Sequence, residues 1–221
     1  MSCFSLRLLL LDEPGSVKVR PEIGLVELEI ANPIIPEEIK SLACRAWYWP
    51  SSEKVLSAEQ ASIRVRLKNP PVDPLQHAIE LTCLGSQIGR ELGAIACVWE
   101  PGGVANDFAA FCEQAEDASP EDPPLFLWIG FDPFPDPDAT PLSVATSGMR
   151  EFGHLEIEVR TSRRSLDEIV EAIADIALWM LTAKQPPKEG QSVRWSRGQV
   201  RLRRALSLRD DGSSVWQLRL P

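Results

Sequence analysis

Histidine and tyrosine are scarce in this chain of 221 residues, which contains two histidines and one tyrosine. Histidine-dependent chemistry is therefore limited to His77 and His154. The sequence also lacks a G-x-S-x-G nucleophile elbow, a Walker A loop and a G-x-G-x-x-G turn after a strand. It presents no complete catalytic signature, and we expect neither a cofactor nor a metal.

Long apolar runs are absent, since no stretch approaches the ~20 residues that a membrane span requires. The leucine run near the start has no basic region before it, contains Arg7 and is followed by Asp12 and Glu13, so we expect a first core strand and not a signal peptide. The five cysteines are widely spaced and form no C-x-x-C pair. That pattern predicts neither a disulfide framework nor a zinc site, and it favours a cytoplasmic location.

The composition is typical of a soluble globular protein, with 44% hydrophobic and 25% charged residues and a mean hydropathy of −0.11. The formal net charge of −9 is unevenly distributed. Residues 1–159 hold 11 basic and 25 acidic side chains, whereas residues 160–221 hold 12 and 7. A net negative body disfavours nucleic acid and anionic membranes and favours a basic partner.

Periodicity predicts an α+β fold with largely antiparallel sheets and two or three long helices packed on them. Residues 23–31 and 61–67 alternate between apolar and charged residues, as half-buried strands do. Helices are predicted after Asp73, which precedes Pro74, and after Ser165, which has Glu168 three residues later. We expect one globular domain over 1–221, with two possible sublobes, 1–118 and 124–221.

Other segments carry weaker signals. Residues 43–49 are predicted to be extended and 125–131 to form a strand, whereas Asn106 is predicted to cap a helix that ends near Glu116. Three short strands are predicted in the tail, at about 192–196, 199–206 and 214–220. Recurring glycines in the first long helix, at residues 85, 89 and 93, predict a flat face that lies close to a sheet.

The proline-rich segment G-F-D-P-F-P-D-P-D-A-T-P, residues 130–141, is predicted to be a stiff loop that presents Asp132, Asp136 and Asp138. It lacks the glycine turn and the terminal glutamate of known calcium loops. The alternatives are a merely solvated acidic protrusion and a preorganised contact for a basic partner.

A second group of candidates is the triplet His154, Glu156 and Glu158, whose alternation places the three side chains on one face of a strand about 6–7 Å apart. This face could be solvated, could contact a partner, or could supply a general base for a hydrolase. The spacing is too wide for neighbouring residues to share a metal without a third element. His77, in the first turns of its helix, is predicted to be exposed or half-exposed.

Residues 146–158, T-S-G-M-R-E-F-G-H-L-E-I-E, resemble the signature T-x-G-M/L-x-x-F-G-x-x-E-I-E of an uncharacterised bacterial family, a domain of unknown function. Similar blocks follow the same order: N-P-I-I-P at 32–36, W-Y-W-P at 47–50, G-A-I-A-C-V-W at 93–99 and D-G-S-S-V-W-Q-L at 211–218. The signature is also similar to that of suppressor-of-fused-like domains. That similarity implies protein binding, since those domains include bacterial toxin-immunity proteins.

The sequence therefore leads to the hypothesis of a non-catalytic cytoplasmic immunity protein that binds a cognate bacterial toxin or secreted effector with a basic surface. We expect no binding to nucleic acid or membranes. The candidate contacts are Asp132, Asp136, Asp138, Glu156 and Glu158. Two alternatives stay open: a hydrolase that uses the face of His154, and an adaptor of a secretion apparatus such as a type VI system.

Overall fold

The alternating segments form strands in a computed structural model, which describes residues 4–11, 25–31, 34–59, 61–136, 139–162, 164–183, 185–209 and 212–220. The protein has an α+β fold in which antiparallel strand pairs predominate, as predicted. The chain divides into two units, Met1–Trp128 (unit 1) and Ile129–Pro221 (unit 2). This division falls later than the predicted sublobe boundary, because Trp128 packs on Trp99 in unit 1, with ring centroids 5.9 Å apart.

Unit 1 contains a five-stranded sheet in the order β2-β3-β1-β4-β5, in which all neighbours are antiparallel. Its strands are β1 (Leu6–Leu10), β2 (Val26–Ala31), β3 (Ala61–Leu67), β4 (Ala96–Trp99) and β5 (Val104–Asp107). Its helices are α1 (Pro36–Arg45), α2 (Ser52–Leu56), α3 (Pro74–Leu92), α4 (Phe108–Glu116) and α5 (Leu125–Trp128).

Alternation along the central strand β1 directs its residues to two helical layers. Leu9 packs in a core cluster with Leu42 of α1 and Leu56 of α2. Residues of the opposite face meet α3, where a Cβ added at Gly85 would lie 2.2 Å from Leu6 Cδ2. The predicted close approach to the sheet is confirmed at Gly85, where the absence of a side chain permits it, but not at Gly93, where an added Cβ would meet nothing within 4 Å.

Unit 2 contains a sheet in the order β11-β12-β8-β7-β6 and a separate two-stranded ribbon of β9 and β10. The pairing of β12 with β8 is parallel, and the other pairs described in this unit are antiparallel. The strands are β6 (Gly130–Asp136), β7 (Ala139–Ser147), β8 (Ile157–Ser162), β9 (Ser192–Trp195), β10 (Gly198–Arg201), β11 (Arg203–Leu206) and β12 (Ser214–Leu218). Helix α6 (Leu166–Thr182) follows β8.

The starts of α6 and α3 confirm the capping predictions. Ser165 and Glu168 form a reciprocal capping box at the start of α6. Asp73 accepts a hydrogen bond from the backbone of Leu75, and Gly93 ends α3 with a φ of 67°. A left-handed backbone of this kind suits glycine, which has no Cβ to clash.

The basic tail folds onto acidic residues of its own unit. Arg197, in the turn between β9 and β10, forms ion pairs with Glu168 at 2.6 Å and with Glu171 at 2.8 Å. The backbone N–H of Ser196 donates to Asp175 at 2.7 Å. The guanidinium of Arg204 lies over the ring of Trp216. Two arginines of the tail therefore bind acidic or aromatic side chains of unit 2.

The prediction of a proline-rich loop was wrong, because residues 130–136 form strand β6 and residues 139–147 form β7. Pro133 lies opposite Val144 in the pairing of these strands. The order of the sheet explains the difference: β6 is an edge strand, where the N–H that proline lacks is not needed for a second neighbour.

Four other predictions needed correction. Residues 125–128 form the short helix α5 and not a strand, and residues 36–45 form α1, which covers part of the segment predicted to be extended. Asp107, and not Asn106, caps α4. The predicted middle tail strand is interrupted at Leu202, where pairing changes from β9 to β12. No helix in the described ranges is long and apolar enough to cross a bilayer.

Candidate functional site

The carboxylate of Asp132 is directed inward and is not displayed on a protrusion. Asp132 is 8% exposed, and its Oδ2 accepts a hydrogen bond from Arg209 Nη2 at 2.8 Å. The same guanidinium lies over the ring of Phe134, 5.6 Å from its centroid. The exposed acidic loop predicted around Asp132 is therefore wrong for this residue, because an arginine 77 positions later binds its carboxylate.

The other two aspartates of that segment are Asp136 and Asp138. Asp136 ends β6, where its backbone pairs with that of Ala139, and its side chain is not among the described groups. Asp138 lies outside the described residues. Their role as partner contacts stays a prediction.

Glu158 lies in the interior of unit 2, with 1% of its surface exposed. Its carboxylate accepts hydrogen bonds from Arg160 at 3.1 Å, from the Ser207 hydroxyl at 2.5 Å and from the backbone of Leu208 at 3.3 Å. A buried carboxylate needs such partners, because an unpaired charge in the interior is costly. The predicted surface position of Glu158 is wrong, and its carboxylate joins β8 to the end of β11.

Glu156 precedes β8 and caps a turn of its own chain. Its carboxylate accepts a hydrogen bond from the Thr146 hydroxyl at 2.6 Å and from the backbone N–H groups of Gly148 at 3.1 Å, Met149 at 3.3 Å and Arg150 at 3.3 Å. Three converging N–H groups form a cradle that favours an anion. Glu156 supplies this anion from within the chain.

This cradle gives the block 146–158 a structural role. Gly148 has a φ of 108°, which is strained for residues with a Cβ, and it leads into the 3-10 turn Met149–Phe152. Met149 and Phe152 are buried, and Gly153 ends the turn with a φ of 80°. The pattern of glycine, apolar residue and glutamate in this block therefore matches what the folded turn requires.

His154 does not share a strand face with the two glutamates, because β8 begins only at Ile157. Burial lowers the pKa of His154, which disfavours its charged form. Since Glu156 and Glu158 are bound to groups of the chain itself, the triplet is not arranged as an open acid–base site. Within the described ranges, no group of three His, Cys, Asp or Glu residues is placed to hold a metal ion.

His77 was predicted to be exposed or half-exposed, and this is wrong, because only 4% of its surface is exposed. Its ring meets the ring of Phe4 edge-on, with centroids 4.8 Å apart. Burial lowers the pKa of His77, and the nearby Glu80 opposes this effect more weakly. His77 belongs to the layer between β1 and α3.

Three arginines on strands of unit 1 form ion pairs with glutamates. Arg64 binds Glu100 through two nitrogens, at 2.7 and 2.8 Å, and Glu29 lies between Arg64 at 3.3 Å and Arg66 at 2.9 Å. Burial alone would raise the pKa of Glu100, but the hydrogen bonds from Arg64 and Ser5 outweigh it and hold that pKa below its ordinary value. Arg7 of β1 lies 3.8 Å from Glu38.

Acidic and basic residues are distributed unevenly along the chain. Between Arg90 and Arg150 the sequence has eleven acidic residues and no lysine, arginine or histidine. Eight of these acids lie in unit 1, which has ten basic and nineteen acidic residues in all. The eight acids therefore account for most of the negative net charge of unit 1. Unit 2, with thirteen of each, is neutral.

Most acids of the segment 91–128 face solvent. Glu100 binds Arg64, Asp107 caps α4, and Glu116 lies 2.5 Å from Arg90. The other five acids are exposed, and none of them forms an ion pair with another described residue. They are Glu91, Glu113, Asp117, Glu121 and Asp122. We call these five the acidic surface. Sequence reasoning overlooked it, although the absence of basic residues from 91 to 149 would have revealed it.

Glu113 of the acidic surface lines a groove of about 760 Å³ in unit 1. Its floor contains Ile95 and the buried side chains of Phe108 and Cys112. One wall is α4, and the other is formed by α2 and Ala58. The other lining residues are Leu11, Lys54, Val55, Ala58, Arg90, Ala94, Asp107, Ala109, Glu113 and Glu116.

The α4 wall is held in place by local contacts. Asp107 accepts hydrogen bonds from the backbones of Ala109 and Ala110 at 3.0 and 3.2 Å, and this fixes the start of the helix. Further along, the Ser86 hydroxyl of α3 lies 3.5 Å from Cys112 Sγ. The α4 wall of the groove is therefore fixed at its start and held against α3.

Comparison of the chain with protein-family models, with curated proteins and with solved structures gives no match. The resemblance of block 146–158 to a bacterial family stays a prediction. What the geometry establishes is an α+β protein whose first unit combines an apolar groove with an exposed acidic surface.

Proposed function

We propose that the protein is a non-catalytic immunity protein, which neutralises a cognate bacterial toxin or secreted effector by binding a basic surface on it. The observation that carries this proposal is the acidic surface of Glu91, Glu113, Asp117, Glu121 and Asp122, which no described basic side chain pairs with. We infer a cytoplasmic encounter, supported by the widely spaced cysteines.

Charge of one sign on one surface steers a partner of opposite sign during diffusion. Such steering raises association rates above the ordinary range at low salt, and it weakens as salt screens the field. Within unit 1, Arg64 neutralises Glu100 and Arg66 is bound to Glu29, so neither arginine pairs with a carboxylate of the acidic surface. A basic partner is the chemistry that this surface favours.

The proposal places the contact in unit 1 and not on the glutamates of block 146–158. The carboxylates of Asp132, Glu156 and Glu158 already accept hydrogen bonds from groups of unit 2. A partner would have to break those bonds before it could use them. The exposed carboxylates on α4 and in the segment after it can bind a partner without first losing hydrogen bonds of this kind.

The test is affinity capture of the tagged full chain from its native host at low and at high salt, followed by co-expression with the captured protein. We expect a single basic partner that is toxic when expressed alone, that is released by salt and whose toxicity the chain suppresses. Glu113→Lys should weaken binding about tenfold, which is about 1.4 kcal/mol.

The matched control is Glu37→Lys, since Glu37 is also an exposed glutamate on a helix of unit 1. It should leave the affinity within about twofold of the wild type. A chain that captures nothing, or a partner whose binding ignores both salt and Glu113→Lys, would overturn the proposal.

A further inference from the structure

We propose that the groove between α2 and α4 is the docking site for an amphipathic basic helix of the partner. This inference rests on the proposed function and specifies how the partner would be held. The apolar face of the helix would occupy the groove, and its lysines or arginines would meet the carboxylates on the α4 side.

The groove has the chemistry of a helix-binding site. Its floor is apolar, with Ile95, Phe108 and Cys112, and Val55 of α2 adds a further apolar side chain. The α4 wall presents Ala109, Glu113 and Glu116 at successive turns of one helical face. Grooves of this kind bind amphipathic helices through apolar side chains spaced three or four residues apart.

An added strand is disfavoured as the occupant. Strand β5 ends the sheet of unit 1, but its Ala105 carbonyl already accepts a hydrogen bond from the Tyr48 hydroxyl at 2.8 Å. Recognition by strand addition depends on main-chain groups that are open at a sheet edge. Side chains inserted between α2 and α4 need no such edge.

The charge around the groove selects a basic helix. Glu113 lines the groove and forms no ion pair with another described residue, and Asp117, the C-cap residue of α4, follows it by four residues. The positive groups of the rim are Lys54 and Arg90, and Arg90 is bound to Glu116 at 2.5 Å. The acidic surface therefore complements lysine or arginine beside the apolar anchors.

The probes are a panel of fluorescent helical peptides with leucines at every third or fourth position and lysines between them, and an otherwise identical panel with glutamate in place of lysine. Binding to the full chain is measured by anisotropy at low and high salt. Ala109→Trp fills the groove, and Ala110→Trp is its matched control, since both alanines are exposed on α4 but only Ala109 lines the groove.

A second pair of variants tests the charge. Glu113→Gln and Gln114→Lys each change the net charge by one unit on adjacent exposed positions of α4, and only Glu113 lines the groove. We expect the basic peptides to bind the wild-type chain. Ala109→Trp should lower the affinity for these peptides at least tenfold and Glu113→Gln about threefold. Ala110→Trp and Gln114→Lys should leave the affinity close to that of the wild type. Failure of every basic peptide to bind, equal binding of the acidic panel or equal effects of Ala109→Trp and Ala110→Trp would overturn the inference.

The same variants separate this inference from the proposed function. If the captured toxin binds the wild type and Ala109→Trp equally well, the docking site is wrong and the immunity function stands. If basic peptides bind the groove but no toxic partner is found, the docking site stands and the immunity function is wrong. Melting temperatures of the four variants confirm that each is folded.

Discussion

Arg209 Nη2 lies 2.8 Å from Asp132 Oδ2, across 77 positions of sequence. This contact ties the segment after β11 to the edge strand β6, which has no second strand beside it in the sheet of unit 2. The carboxylate that sequence analysis assigned to a partner is therefore part of the architecture of the unit.

We predict that Asp132→Asn lowers the free energy of unfolding by about 1–3 kcal/mol, because it leaves a partly buried guanidinium without its charged acceptor. Urea unfolding checks this. In a double-mutant cycle with Arg209→Gln, the combined loss should be smaller than the sum of the single losses. If Asp132→Asn instead weakened partner binding at unchanged stability, the sequence-based assignment of Asp132 would be right.

Glu156 should act through the turn that it caps. Replacing it with glutamine directs an amide N–H₂ toward a cradle of N–H donors, so we expect Glu156→Gln to cost about 1–3 kcal/mol of stability. Glu151→Gln is the control, because Glu151 lies in the same 3-10 turn and does not bind the cradle. Thermal unfolding of both variants checks the difference, and equal melting temperatures would contradict it.

The helices could be predicted because their signals are local. Asp73, Ser165 and Glu168 lie within one turn of the groups that they cap, and Gly93 acts on its own backbone. Apolar periodicity likewise shows which face of a segment is buried without information about the partner element. These features explain why the fold class was predicted correctly.

The environments of the carboxylates could not be predicted in the same way, because they depend on contacts between distant segments. Glu158 meets Ser207, 49 positions away, and an exposed and a buried glutamate look alike in an alternating strand. The proline-rich segment was misinterpreted because its place at a sheet edge is a property of the whole topology. The groove likewise combines residues of four separate segments.

Gly89 provides a test of the close packing of α3 against Phe108 of α4. A Cβ at this position would lie 2.2 Å from Phe108 Cζ and 2.4 Å from its Cε2. In an exposed helix, Gly→Ala would stabilise by about 1 kcal/mol. Here we expect Gly89→Ala to destabilise by about 1–3 kcal/mol, because the rigid ring of Phe108 must move within a packed core.

The control for this prediction is Gln87→Ala on the exposed face of α3, which should change stability by no more than about 0.5 kcal/mol. Chemical denaturation of both variants gives the comparison. A Gly89→Ala protein more stable than the wild type would show that the helix is not held as close to Phe108 as described.

His77 makes stability depend on pH. Burial lowers its pKa below the ordinary value of 6.5, so the folded protein takes up this proton only at a lower pH than the unfolded chain does. The free energy of unfolding must therefore fall as the pH drops below about 6.5, by at most about 1.4 kcal/mol per pH unit for this one proton.

Urea unfolding between about pH 7.5 and 5.5, above the pH at which most carboxylates titrate, measures this slope. His77→Phe, which places an apolar ring against Phe4, should reduce the slope, and the remainder should be reduced by His154→Gln, because burial lowers the pKa of His154 as well. An unchanged slope in His77→Phe would mean that His77 takes up its proton over the same pH range in the folded and in the unfolded protein, which would contradict the effect of its burial.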